Sequence, residues 1–194
     1  MTLEAIGVSL SYGTAVSALH RVNLRIGPGE VAGIVGPEGC GKSSLLRLFL
    51  SGHPSSGVCL VDGRPSPARD ECAVHYVSGV AHVADVGCTP ACRADLILDE
   101  PPVHAAGEEA GKWLALIRAR AACGRSVLVA TRSLRHAALC VDRVAILVGG
   151  RVRALLDRGD LEAAALDAVS WVHFGRTLED PDCLRCRAEP GSAR

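Results

Sequence analysis

The chain has 194 residues, with 21 basic and 21 acidic side chains and nine cysteines. A formal charge of zero argues against a nucleic-acid-binding surface or a polybasic membrane patch, and the length suits one domain with room for a small appendage. No apolar run approaches a bilayer-spanning length, and Met1-Thr2-Leu3-Glu4-Ala5 lacks the basic and apolar regions of a secretory signal. Direct membrane insertion is therefore not expected.

In chain order, Ile6, Val8, Leu10 and Tyr12 alternate with small residues, and Val22, Leu24 and Ile26 alternate with polar ones. Both patterns predict amphipathic strands. Gly27-Pro28-Gly29-Glu30 turns the chain into the apolar run Val31 to Val35. Gly36-Pro37-Glu38-Gly39-Cys40-Gly41-Lys42-Ser43 follows, with the form G-x-x-x-x-G-K-S, and Ser44 to Leu50 reads as a helix. Strand, glycine-rich loop and helix in that order are the context of a phosphate-binding loop. The glycines let backbone N–H groups converge on a polyphosphate, Lys42 adds a point charge, and the Ser43 hydroxyl is placed to hold Mg²⁺.

Beyond a loop at residues 51–57, Val58 to Val61 and Val74 to Val77 are short predicted strands. Pro65 to Asp70 is a break, and Ser78 to Ala94 is a linker of low regularity. Asp95 to Glu100 is an apolar strand delivering Asp99 and Glu100 at its carboxyl end, closed by Pro101-Pro102. Ala110, Trp113, Leu114, Ile117 and Ala121 share one face of a helix. Ser126 to Ala130 is a strand, Leu134 to Val141 a helix, and Val144 to Val148 a strand. The Gly149-Gly150 turn leads to a last strand at Val152 to Leu155, and Asp160 is a candidate cap for a helix to about Ser170. The fold class is α/β: a mostly parallel sheet flanked by helices, behind an N-terminal antiparallel β portion. Ligands in such sheets sit beyond the carboxyl strand ends, where both the glycine-rich loop and Asp99-Glu100 fall. Asp99 is a candidate Mg²⁺ ligand, and Glu100 can orient or deprotonate a water.

These segments, with Val8 to Gly13, Leu24 to Glu30, Ser56-Gly57-Val58 and Asp142 to Val152, resemble the nucleotide-binding subunit of an ABC transporter from about residue 3 to 160. The resemblance implies a P-loop core over residues 1–174 that binds ATP and Mg²⁺, with 175–194 as a mobile tail. Gly36, Pro37, Glu38, Gly39, Cys40, Gly41, Lys42, Ser43 and Ser44 would surround the phosphates. Ser43 and Asp99 would hold Mg²⁺, and Glu100 and Lys42 would be catalytic. Tyr12, which by itself reads as strand packing, falls where the family stacks an aromatic ring on adenine.

The chain departs from the family at several places. Only residues 78–94 stand where the family inserts a helical subdomain with its Leu-Ser-Gly-Gly-Gln signature. Ser78-Gly79 replace the Q-loop glutamine, and Pro102 to Gly107 differs from the D-loop. Arg132 stands where the family has a γ-phosphate-contacting histidine, and keeps the charge without titrating near neutral pH. ATP hydrolysis is then expected to be slow or partner-dependent, because family sites are composite. The implied partners are a membrane permease and a second, complete ATP-binding subunit, at the cytoplasmic face. The alternatives are a non-catalytic, nucleotide-dependent regulatory or assembly module, and a degenerate cassette. Cysteine usage fits a reducing cytoplasm, with most thiols acting as small buried hydrophobes. The spacings Cys183-x-x-Cys186 and Cys88-x-x-x-Cys92 are a candidate zinc set.

Overall fold

The computed structural model describes residues 2–13, 16–66, 74–78, 82–86, 94–103 and 108–161. Ten strands and three α-helices are described: β1 (Leu3–Tyr12), β2 (Val16–Ile26), β3 (Val31–Val35), α1 (Lys42–Ser51), β4 (Ser56–Val61), β5 (Arg64–Pro65), β6 (Val74–Ser78), β7 (Asp95–Asp99), α2 (Glu108–Ala122), β8 (Val127–Thr131), α3 (Leu134–Ala138), β9 (Arg143–Val148) and β10 (Arg151–Asp157). A short 3₁₀ turn, Val83–Val86, lies between β6 and β7.

The strands form two sheets. One is antiparallel in the order β2-β1-β4-β5, and the other runs β10-β9-β3-β8-β7-β6. Within the second, β6, β7, β8, β3 and β9 are parallel, and β10 closes the edge as an antiparallel hairpin. The expected α/β core with its antiparallel N-terminal portion is thus the observed fold. The central strand β3 is buried along its whole length, as a strand covered on both faces must be.

Alternation along the parallel strands sorts their side chains between two cores. Ala32, Ile34, Ile97, Leu128, Ala130, Ala145 and Leu147 pack with α1 and the antiparallel sheet. Val31, Val35, Leu96, Leu98, Val127, Val129, Val144 and Ile146 pack with Trp113 and Ile117 of α2 and with α3. The six-stranded sheet is therefore the middle layer, and the phosphate-loop helix lies on the side that faces the antiparallel sheet.

Four local expectations need correction. The opening strand does not alternate without interruption: the pairing shifts between Ala5 and Val8, where Gly7 takes a φ of 59°. Leu3, Ala5 and Val8 point inward and Ile6 outward, because the bulge moves the rest of the strand by one residue. The Asn23 side chain accepts the Gly7 N–H and satisfies the interrupted ladder. The helix expected to run from Leu134 to Val141 is regular only to Ala138, and Leu139 and Cys140 form a turn. Pro65 belongs to β5 and not to a break. Residues 158–161 are already helical, and Asp157 is the residue that accepts the Asp160 N–H, so the cap precedes Asp160. The remainder of that helix, the expected mobile tail at 175–194 and Cys88, Cys92, Cys183 and Cys186 lie outside the described residues.

Candidate functional site

The loop between β3 and α1 is shaped by contacts that exclude side chains. A Cβ at Gly36 would overlap the Leu147 carbonyl oxygen and stand 2.7 Å from Cys40 Sγ. Gly41, with φ at 104°, forms the N-cap of α1, and a Cβ there would come within 2.5 Å of the Ala18 carbonyl. From behind, the β9–β10 turn braces the loop: the Gly150 N–H donates to Cys40 O at 3.0 Å, and Gly150 O accepts from His20 N at 2.8 Å. Lys42 is 6% exposed, and its ammonium donates to the Gly36 and Pro37 carbonyls, both at 2.8 Å. The lysine thus holds the loop in a ring around its own charge. Burial pushes the Cys40 thiol up, only partly offset by Lys42, so it is the neutral small hydrophobe expected from its position.

The helix N-termini differ in how their orphan donors are served. Ser133 caps α3 by accepting the His136 N–H, and Glu108 and Glu109 stand in the first turn of α2. In contrast, α1 has no side-chain cap and no acidic residue in its first turn. The N–H groups and the positive dipole end at Lys42 are left to the cleft in front of them, which is the condition for holding an anion.

That cleft, about 510 Å³, is lined by Tyr12, Ser17, Ala18, Glu38, Gly39, Gly41, Lys42, Ser43, Ser44, Asp99, Glu100 and Arg132. Residues from five separate places in the sequence meet there. Tyr12 is 54% exposed at its mouth, and its hydroxyl donates to Ser44 Oγ at 3.3 Å. Asp99 ends β7 at 7% exposure, and Oδ2 accepts the Tyr76 hydroxyl at 3.0 Å. Glu100 follows in the left-handed region, φ 54°, an arrangement that costs a non-glycine residue on the order of 1 kcal/mol and turns the side chain out of the sheet. Its N–H continues the ladder to Ala130 O at 2.8 Å.

Arg132 ties the far side of the cleft together. Its Nε lies 3.4 Å from Glu100 Oε1 and its Nη1 3.5 Å from Glu38 Oε2, while its own N–H donates to Glu100 Oε2 at 3.3 Å. In this arrangement Glu100 is an ion-pair partner. A hydroxyl and a carboxylate, from Ser43 and Asp99, are the hard oxygen donors that suit Mg²⁺, and both line the cleft. Among the described residues no group of three or more His, Cys, Asp or Glu could hold a metal by itself.

Sequence reasoning reached the loop, the acidic pair and Arg132. It did not reach Tyr76, which reads only as a strand residue until β6 is known to pair with β7. Nor did it reach the Gly150 brace, for which the Gly149-Gly150 turn was the available signal.

A glycine-rich loop and an uncapped helix at the carboxyl end of a parallel sheet, facing a strand-end acidic pair, are the layout of an α/β P-loop fold. The ABC transporter family model matches residues 19–87. The chain is 44% identical over 66 residues to a spermidine/putrescine import ATP-binding protein from Frankia alni, covering 32% of this chain and 14% of that protein. It is 43% identical over 65 residues to a lipoprotein-releasing system ATP-binding protein from Hyphomonas neptunium, 31% of this chain and 28% of that one. The matched stretch thus spans less than a third of the length of these relatives. Over the fold, an ATP-binding subunit of an ABC transporter superposes with a TM-score of 0.72 at 19% identity, covering 93% of this chain and all of that one. An ABC transporter cassette in its ADP conformation gives 0.70 at 13% identity, covering 89% and 99%. Over residues 19–87 the chain is thus similar in sequence to ATP-binding proteins of ABC transporters, and across the described residues it shares their fold.

Proposed function

We propose that this chain binds Mg-ATP in the cleft between the glycine-rich loop and the end of β7, as the nucleotide-binding component of an ABC-type transporter. The observation that carries the reading is the buried Lys42 ammonium, ringed by loop carbonyls at an uncapped helix N-terminus and in the same cleft as Asp99. The backbone N–H groups of the loop from Glu38 to Ser44 and the Lys42 charge would bind the β- and γ-phosphates, with Ser44 beside them. Ser43 and Asp99 would hold the Mg²⁺, which when bound would neutralise phosphate charge. Tyr12, at the mouth of the cleft, offers its ring to the purine.

Glu100 orients or accepts a proton from the attacking water, and Arg132 places a fixed positive charge near the terminal phosphate. Because Arg132 engages Glu100, hydrolysis by the chain alone is slow, and a complete second ATP-binding subunit accelerates it. A membrane permease is the proposed physical partner, with the chain at the cytoplasmic face. Residues 1–174 form the nucleotide-binding unit, in which 78–94 take the place of the helical signature subdomain.

The same Arg132–Glu100 pair favours a second reading, a nucleotide-dependent regulatory module without turnover. Single-turnover phosphate release separates the two. The first reading expects slow release that falls roughly a hundredfold or more in Glu100→Gln, the range for a positioned proton acceptor. Release that is absent, or indifferent to Glu100→Gln while ATP still binds, supports the regulatory module.

A further inference from the structure

We infer that Tyr76 is a positioning residue for Asp99, setting which carboxylate oxygen meets a divalent cation bound with nucleotide. The inference rests on the Mg-ATP reading and deepens it. Tyr76 pairs with Ile97, two residues before Asp99, so on the α1-facing side of the sheet Tyr76 and Asp99 are diagonal neighbours on adjacent parallel strands. An aromatic side chain can span that diagonal. The phenol does so, donating to Oδ2 at 3.0 Å, while Ser78, directly opposite Asp99, is too short to take the same role along the strand.

The chemistry of the donor matters. A lysine or arginine at this place would orient the carboxylate and also cancel its charge, leaving little attraction for a cation. A neutral hydroxyl fixes the carboxylate plane and leaves the negative charge in place. Asp99 is nearly buried, so without Tyr76 one of its oxygens would lose a partner that water does not readily replace. The carboxylate would then be free to rotate, and its orientation at the cleft would no longer be fixed by the phenol.

The test uses the full chain and Mn²⁺ as the probe. In Tyr76→Phe, Mn²⁺ affinity of the ATP-loaded protein, followed by electron paramagnetic resonance, should fall about tenfold, whereas ATP affinity in EDTA should change less than about twofold. Asp99→Asn should remove the metal-dependent gain in ATP affinity, and adding Tyr76→Phe to it should change nothing further. Unchanged Mn²⁺ affinity in Tyr76→Phe, or equal losses with and without metal, overturns the inference. Should Tyr76→Phe not fold, Tyr12→Phe leaves Tyr76 as the chain's one tyrosine, since the sequence has two. Metal addition to its ATP complex should then perturb the near-ultraviolet tyrosine absorption, and an unperturbed band overturns the inference. If the parent protein shows no metal-strengthened ATP binding, the Mg-ATP reading fails and takes this one with it. Metal-strengthened binding that Tyr76→Phe leaves intact sinks only the role of Tyr76.

Discussion

The two ends of strand β7 each carry an aspartate, and the chain treats them in opposite ways. At the amino end Asp95 is wholly buried, one oxygen accepting the Ser126 N–H at 2.9 Å. Around it the chain serves its own polar groups: Asp142 accepts the Val31 N–H at 3.0 Å, and Arg143 pairs with Glu30 at 2.7 Å. At the carboxyl end Asp99, Lys42 and Ser43 line a cleft in front of a helix with no cap. Groups closed onto one another stabilise a fold, and groups aimed at a cleft are available to a ligand. Substitutions at the amino end should therefore move stability, and those at the carboxyl end should move binding.

The largest expected effect is an exception that sharpens the contrast. Gly36→Ala lies at the carboxyl end but should destabilise the fold by about 3 kcal/mol, because its Cβ meets the Leu147 carbonyl and one strand must shift. Denaturant unfolding at fixed pH measures it, and a change below about 1 kcal/mol would mean that the loop is looser than its contacts indicate.

Asp95→Asn is the amino-end counterpart. Burial pushes the Asp95 carboxyl up to about 6, the Ser126 N–H opposing this, and Oδ2 has no hydrogen-bond partner among the described residues. The folded chain holds this proton more tightly than the unfolded one, where the group titrates near 4. The protonated group's contribution is fully present below about pH 4 and is lost as pH rises through about 6. Asparagine keeps an acceptor for Ser126 and cannot ionise, so it should gain roughly 2 kcal/mol over the parent at pH 8 and little at pH 4. Thermal or denaturant melts across that range read the sign, and a gain independent of pH would contradict the assignment.

Arg132→Ala should give the smallest effect on stability, under about 0.5 kcal/mol, because the guanidinium is 63% exposed and its ion pairs are long. Glu100 is released by the same change. A large loss of stability would show that this side of the cleft is as rigid as the lysine ring opposite.

Much of this contrast was readable in the sequence, for physical reasons that differ by element. Val31 to Val35, Gly36 to Ser43 and Asp95 to Glu100 are local signals: an apolar run, glycines where side chains cannot fit, and acids at a strand end. Their meeting in one cleft follows from a parallel sheet, which brings its carboxyl strand ends together. What stayed hidden depends on which strands are neighbours. The Tyr76 hydrogen bond exists because β6 lies beside β7, and the Gly150 brace because the β9–β10 turn returns behind the loop. The bulge at Gly7 was hidden for another reason, since a period-two pattern carries no mark of an inserted residue until the partner strand is known.

The central claim is that the Lys42 ammonium and the loop amides bind a nucleotide polyphosphate. Calorimetric titration of ATP with Mg²⁺ into the parent chain and Lys42→Ala tests it directly, with circular dichroism showing that both are folded. Saturable binding in the parent that weakens roughly 10–100-fold in Lys42→Ala is the expected result, the range for losing a charge-assisted contact to phosphate. Equal affinity in the two proteins, or no binding by the folded parent, would contradict the account.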